Sequence, residues 1–172
     1  MAGIDLFLKT KLGHDLYVYD FENIHYGIFR ILFDIKCKEF FNELVKISID
    51  FDDPNINFKF QPNNGLFDFV IETSNGSLFW EIKVWNQLSI MQLNNQKKYL
   101  EDKDAMGIYV LFTKARKWIN NDEIRHDENI IMLDEAVVMK ALAAINKQNY
   151  SKDVVEIVES YNYIIGELYE RY

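Results

Sequence analysis

The segment 65–83 constrains the fold most strongly, because two apolar runs there are split by Asn75-Gly76. Asn-Gly between such runs is the strongest short hairpin signal, since both positions tolerate a positive φ. If Asn75 and Gly76 form a two-residue loop, residues equidistant from it face each other on two antiparallel strands. The sequence therefore predicts a β-hairpin and, with it, which side chains share a face.

One face of this hairpin is apolar at five positions. A one-residue slip would move every one of these side chains to the other face, so the pattern supports the predicted register. The apolar positions are Phe69, Ile71, Leu78, Trp80 and Ile82. We therefore expect this face to pack against the protein core.

The other face carries Asp68, Glu81 and Lys83. In the predicted register Asp68 lies opposite Lys83, and Glu81 lies diagonally from Asp68. Directly opposed Cβ atoms are about 5 Å apart and diagonal ones about 7–8 Å, so two carboxylates would converge on one cation beside an ammonium. The alternative is a surface Asp68–Lys83 ion pair with Glu81 incidental, worth about a few tenths of a kcal/mol.

The charge distribution bears on the choice of partner. The chain has 172 residues, which suits one domain, 1–172, and its net charge of −8 argues against a nucleic-acid partner. Residues 83–117 nevertheless carry seven Lys or Arg against three acidic residues, a local +4 directly after the hairpin. This excess permits a polyanion there and makes the following residues candidate phosphate contacts: Lys97, Lys98, Lys114, Arg116 and Lys117.

The sequence also excludes some protein classes. The single cysteine, Cys37, excludes an internal disulfide and a cysteine-based zinc site. The apolar stretches are far too short to span a membrane, and the N-terminus lacks the basic and apolar regions of a signal peptide. We therefore expect a cytoplasmic protein that is not a membrane protein.

Apolar spacing along the rest of the chain predicts an α/β fold with a mixed central β-sheet flanked by helices. Over residues 22–47 it indicates one long helix or two shorter ones. The later elements are a strand at Asn57–Gln61, a helix at Gln87–Asp102, strands at Gly107–Thr113 and Asn129–Leu133, a helix capped by Asp134 that runs to about Lys147, and an amphipathic stretch at Asp153–Tyr172. A parallel strand pair bridged by the 87–102 helix would form a right-handed crossover. The final stretch either closes the core or pairs with a second copy, which leaves a homodimer open.

Asp68, thirteen residues before Glu81-Ile82-Lys83, resembles the Asp…(Asp/Glu)-X-Lys signature of the PD-(D/E)XK nuclease superfamily. Glu22-Asn23-Ile24-His25, followed by Ile31-Leu32-Phe33-Asp34, is similar to an N-terminal helix pattern of the bacterial branches of that superfamily. Gln92-Leu93 resembles a Gln-Leu motif on the helix after the catalytic strand. Together these features cover about residues 21–117.

The resemblance implies a restriction-endonuclease-like core with extra C-terminal helices, and a hydrolase that cuts DNA with Mg²⁺ or Mn²⁺. Asp68, Glu81 and the backbone carbonyl of Ile82 would hold the metal, because oxygen ligands suit a hard cation. Lys83 would position or activate the attacking water, or neutralise charge in the transition state.

The resemblance also implies supporting roles for two residues, and the sequence departs from the family pattern at two positions. Gln92 would orient the lysine or the water, and Glu22 would be an outer-sphere metal contact from the first helix. Phe67 replaces the proline that usually precedes the acid. Gln96 stands where the Gln-X-X-X-Tyr form of the helix motif has tyrosine, with Tyr99 about one turn later.

Several alternatives stay open. The rival from another class is a catalytically inactive nuclease-fold protein that binds nucleic acid or a protein partner. A glycosidase with paired carboxylates ranks lower, because it needs no lysine beside the acids. His25 is interpreted as structural rather than catalytic, while Glu39 and Glu43 are rivals of Glu22 that more often belong to a solvated helix face. Trp85 is a candidate for stacking on a base, although packing is the preferred interpretation.

Overall fold

A five-stranded mixed sheet with helices on both faces organises the chain, which confirms the predicted α/β class. The computed structural model describes residues 11–84, 88–112 and 127–171. The helices are α1 (Lys11–Asp34), α2 (Lys38–Val45), α3 (Ile90–Lys103), α4 (Glu135–Ala143) and α5 (Lys152–Arg171), with a short turn at Pro62–Gly65 and a 3₁₀ turn at Lys147–Asn149. The strands are β1 (Asn57–Phe60), β2 (Phe69–Thr73), β3 (Gly76–Lys83), β4 (Met106–Leu111) and β5 (Ile130–Leu133).

The sheet has the order β1-β2-β3-β4-β5. Strands β1, β2 and β3 are antiparallel neighbours, whereas β4 and β5 continue the sheet in parallel with β3. Helix α3 connects the parallel pair β3 and β4, as the sequence predicts. The carboxyl end of β3 therefore lies where the hairpin, α3 and β4 meet.

The first helical segment divides into two helices. Lys36 adopts a left-handed conformation (φ 53°), and the amide of Cys37 donates to the carbonyl of Leu32 (2.9 Å), which ends α1. The chain then turns so that Phe40 of α2 packs on Phe29 of α1, with 5.3 Å between the ring centroids. Two helices, rather than a single long one, thus pack on this face of the sheet.

The β2–β3 hairpin turns one residue earlier than the sequence predicts. Thr73 pairs with Gly76, so the loop is Ser74-Asn75, and the predicted loop Asn75-Gly76 is wrong. The cause is tertiary: Asp53, from the loop before β1, accepts hydrogen bonds from the amide and from the hydroxyl of Ser74 (2.7 Å for the hydroxyl). These bonds stabilise Ser74 as a loop residue.

The earlier turn changes which residues pair across the hairpin, but it does not change the face on which each side chain lies. Because the loop keeps two residues, every side chain stays on its predicted face while its opposite neighbour moves two positions along the strand. Phe69 now pairs with Trp80, which brings Asp68 beside Glu81. The predicted direct pairing of Asp68 with Lys83 is therefore wrong, and the two acids lie closer than the predicted register allowed.

The sheet has a hydrophobic core on each face. The larger core contains the predicted apolar face of the hairpin, with Trp80 fully buried and stacked on Phe69 (5.2 Å between centroids), and it is closed by α1, α2, α4 and α5. The smaller core lies under α3 and includes Val70, Phe79 and Tyr109. Strand β4 is buried on both faces, as predicted.

The C-terminal part follows the sequence expectation except that α4 ends at Ala143 rather than near Lys147. Asp134 caps α4 by accepting a hydrogen bond from the amide of Val137 (2.9 Å). Helix α5 buries Tyr161 and Ile165 in the larger core, which confirms that the final stretch closes the core. Within the described residues, no helix combines the length and the apolar character needed to cross a bilayer.

Candidate active site

Asp68 lies immediately before β2 and is held by the backbone of β3. Its amide donates to the carbonyl of Trp80 (2.9 Å), and its Oδ2 accepts from the amide of Ile82 (2.6 Å). These two bonds bracket Glu81. The backbone of the hairpin therefore orients the carboxylate of Asp68.

Glu81 is the most buried charged group of the site, with 1% of its surface exposed. Its Oε1 accepts from the Lys83 ammonium (2.7 Å) and from Nε2 of Gln92 (2.8 Å). Its Oε2 accepts from Nε2 of Gln96 (2.8 Å). Three donors from β3 and α3 thus hold one carboxylate, and the structure brings together the predicted residues Glu81, Lys83 and Gln92.

Helix α1 reaches the same site through Glu22 and Tyr26, which are one helical turn apart. Glu22 Oε1 accepts from the amide of Val84 (3.3 Å), and its Oε2 lies 4.0 Å from the Lys83 ammonium. The Tyr26 hydroxyl is hydrogen-bonded to Asp68. The predicted position of Glu22 beside the acid–lysine cluster is thereby observed.

Burial dominates the electrostatics of the three acids. Desolvation raises the pKa of Glu22 and of Asp68, and burial together with the neighbouring Asp68 charge raises the pKa of Glu81 to about 7. Burial alone would lower the pKa of Lys83, but the charges of Glu81 and Glu22 outweigh it and raise that pKa. Lys83 consequently stays protonated at neutral pH.

The donor set fits a divalent cation by its chemistry. With Glu22, Asp68, Glu81 and Lys83 all ionised, the site carries a net charge of −2. Carboxylate oxygens are the ligands that Mg²⁺ accepts. Across residues 11–84, 88–112 and 127–171, no group of three or more His, Cys, Asp or Glu is arranged to hold a metal ion. The predicted protein ligands are two carboxylates and a carbonyl, a number that Mg²⁺ tolerates because it keeps several waters.

The predicted phosphate contacts are only partly described. Lys97 forms an ion pair with Asp127 (3.2 Å), and Lys98 is exposed on α3. The remaining candidates lie outside the described residues: Lys114, Arg116, Lys117 and Trp85. DNA contact through these side chains stays a prediction.

Three residues of the site lie outside the predicted set: Tyr26, Gln96 and Tyr109. Tyr26 follows Glu22 by four residues, and Gln96 follows Gln92 by four, so helical spacing places each beside a predicted residue. Tyr109 comes from β4, and no local pattern signals it. Its hydroxyl donates to Oε1 of Gln96 (2.9 Å).

Two other sequence candidates lie away from the acid–lysine cluster. Glu39 accepts from the Tyr150 hydroxyl (2.7 Å), and Glu43 pairs with the Lys140 ammonium (2.8 Å). Tyr99, one turn beyond Gln96, packs against the aromatic rings of the smaller core and has no hydrogen bond to Glu81 among those described. Of Glu22, Glu39 and Glu43, Glu22 is therefore the acid that meets the site.

His25 is fully buried in the larger core rather than in the site. Its Nδ1 is hydrogen-bonded to the Tyr161 hydroxyl, and its ring packs on Phe112 with 4.5 Å between centroids. Burial lowers the pKa of His25 to about 3. These contacts support the structural interpretation.

We expect His25→Phe to flatten the pH dependence of stability. The folded-state pKa of about 3 lies below the ordinary 6.5, so the unfolded chain binds the proton first and the free energy of unfolding falls as pH drops from 6.5 towards 3. Between pH 7.5 and 5.0 this group alone removes about 2 kcal/mol. Urea unfolding at both pH values should therefore show a larger loss for wild type than for His25→Phe. Equal losses would contradict a neutral buried histidine.

Comparisons with known proteins do not indicate a function for this chain. No family model, curated protein or solved structure matches this chain. The geometry around Glu81 is therefore the basis on which a function is inferred.

Proposed function

We propose that this protein is a metal-dependent nuclease that hydrolyses DNA phosphodiester bonds. The observation that carries the proposal is the cluster of Asp68, Glu81 and Lys83 at the end of β3, with the Lys83 ammonium 2.7 Å from Glu81. Two partly desolvated acids and a protonated lysine are costly to bury together, and all three would be used in phosphoryl chemistry.

The placement of the cluster supports the nuclease resemblance. Asp68 precedes one strand of a hairpin and Glu81-Ile82-Lys83 ends the other, while the following helix α3 supplies Gln92 and the preceding helix α1 supplies Glu22. Strand β4 then lies parallel to β3. This is the order of hairpin, helix and strand that the resemblance implies.

The cofactor is proposed to be Mg²⁺ or Mn²⁺. Asp68 and Glu81 would hold it together with the backbone carbonyl of Ile82. Asp68 immediately precedes β2, and the other two residues are neighbours on the paired strand β3. When bound, such a metal polarises a phosphoryl oxygen and lowers the pKa of a coordinated water.

Lys83 would supply the positive charge next to the reacting phosphate. Its ammonium lies 2.7 Å from Glu81 and 4.0 Å from Glu22, and its side chain keeps 12% exposure, so two acids fix its position while part of it reaches solvent. A protonated amine so placed can hold the attacking water or stabilise the developing negative charge. Gln92 shares Oε1 of Glu81 with Lys83 and thereby limits where the ammonium can move.

A cleavage assay tests the proposal. Supercoiled plasmid, linear duplex and single-stranded DNA should be incubated with the purified protein and Mg²⁺, Mn²⁺ or EDTA. We expect nicking or cleavage of at least one substrate with either metal and none with EDTA. Binding of DNA without cleavage of any substrate would favour the inactive nuclease-fold alternative. Cleavage that persists in EDTA would contradict a metal-dependent enzyme.

A further inference from the structure

We propose that Tyr109 and Gln96 form a hydrogen-bonded relay that holds the Glu81 carboxylate in its metal-binding orientation. The inference rests on the proposed function, because it assigns positioning roles at the same site. Neither residue would touch the metal or the DNA. Both would act through Glu81.

The relay runs from β4 through α3 to β3. The Tyr109 hydroxyl donates to Oε1 of Gln96 (2.9 Å), and Nε2 of Gln96 donates to Oε2 of Glu81 (2.8 Å). A carboxamide has an oxygen that accepts and a nitrogen that donates. When the Tyr109 hydroxyl donates to the oxygen of Gln96, the nitrogen of Gln96 therefore points towards Glu81. The side chain of Gln96 therefore has one orientation in which both partners are satisfied.

Burial makes this orientation persistent. Tyr109 and Gln96 are 0% exposed and Glu81 is 1% exposed, so water does not compete for these bonds. Burial, with the charges of Glu81 and Asp127, also raises the pKa of Tyr109, which keeps its hydroxyl protonated as a donor. Breaking one bond would leave a buried polar group without its partner, which is unfavourable.

The two oxygens of Glu81 have different surroundings. The fully buried Gln96 donates to Oε2, whereas Lys83 and Gln92, which are both partly exposed, donate to Oε1. The same Nε2 of Gln96 also donates to the carbonyl of Leu66 (2.7 Å), two residues before Asp68. One amide thus ties the carboxylate of Glu81 to the segment that delivers Asp68.

The strand makes room for the tyrosine. Gly107 lies two residues before Tyr109 on β4, and therefore on the same face. A Cβ at Gly107 would lie 2.9 Å from Cε2 of Tyr109 and 2.7 Å from Cδ1 of Leu100. Glycine at position 107 thus leaves the space that the Tyr109 ring occupies.

A double-mutant cycle on metal affinity tests the relay. Mn²⁺ binding should be measured by titration calorimetry at pH 8, above the Glu81 pKa, for wild type, Tyr109→Phe, Gln96→Met and the double variant. We expect each single variant to bind Mn²⁺ about tenfold more weakly, the lower end of the usual loss for residues that orient a metal ligand. We expect the double variant to equal Gln96→Met, because Tyr109 acts only through Gln96.

Tyr99→Phe is the matched control. It removes the same oxygen from a neighbouring aromatic ring of the smaller core, and Tyr99 has no described bond to Glu81, so Mn²⁺ affinity should equal that of wild type. Thermal unfolding of every variant distinguishes a positioning role from a merely structural one. A merely structural role would lower the Tm and leave the Mn²⁺ affinity unchanged. Wild-type affinity in Tyr109→Phe, or additive losses in the double variant, would overturn the relay alone. Absence of Mn²⁺ binding to the wild type would overturn the proposed function and the relay with it.

Discussion

Replacing Lys83 with alanine is expected to reduce metal-dependent DNA cleavage by at least about a hundredfold, the loss typical when one preorganised stabilising group is removed from an active site. The ammonium of Lys83 is the positive side chain that contacts the two site acids Glu81 and Glu22. Without it, the attacking water and the developing charge lose their cationic partner. Initial rates of plasmid nicking at saturating Mg²⁺ would measure the loss.

Lys59→Ala provides the matched control for this variant. Lys59 forms a surface pair with Glu72 (2.6 Å) between β1 and β2, so its removal also deletes one lysine and one ion pair of the sheet. We expect Lys59→Ala to retain wild-type cleavage. Equal cleavage by Lys83→Ala and wild type would show that the activity comes from a contaminant, and the enzyme proposal would then fail.

Mg²⁺ is expected to raise the Tm by about 5–10 °C at pH 8 and by much less at pH 5.5. A ligand at a hundred times its Kd stabilises the native state by about 2.7 kcal/mol, and each kcal/mol raises the Tm of a chain this size by about 2–4 °C. The Glu81 pKa of about 7 means that this carboxyl holds a proton at pH 5.5, and protons compete with metal for the ligand. Differential scanning calorimetry with Mg²⁺ and with EDTA measures both shifts.

The raised pKa of Glu81 also determines how the stability of the metal-free protein changes with pH. The folded-state pKa of Glu81 lies above its ordinary 4.5, so the folded state binds the proton more tightly and this group loses stabilising effect as pH rises from 4.5 through about 7. Mg²⁺ should offset that loss above pH 7. Glu81→Gln should abolish the metal-induced shift, whereas Glu43→Gln, a change in an ion-paired acid of α2, should retain it. A shift that is larger at pH 5.5 than at pH 8 would contradict carboxylate ligation.

Local patterns predicted most elements because their apolar spacing is visible within a few residues. The strand at 57–61, the α3 helix and the doubly buried β4 were all found in this way, with bounds that differ by one to three residues. The hairpin loop was misplaced because Asp53 binds Ser74 from another part of the chain. Asn-Gly is a strong local preference, but two tertiary hydrogen bonds, each worth about 0.5–1.5 kcal/mol net, can outweigh it.

The sequence by itself determined which hairpin residues share a face. Alternation along a strand has a period of two, so Asp68, Glu81 and Lys83 stay together on one face wherever a two-residue loop is placed. Helical spacing likewise put Gln92 on the helix that follows them. These inferences held because each depends on neighbours within one element.

Only the tertiary structure decided how the site is assembled. It placed Asp68 beside Glu81 rather than opposite Lys83, and it brought Tyr109 of β4 behind Gln96 to reach the same carboxylate. Contacts between separate elements depend on how their faces pack, and periodicity within one element carries no information about that packing.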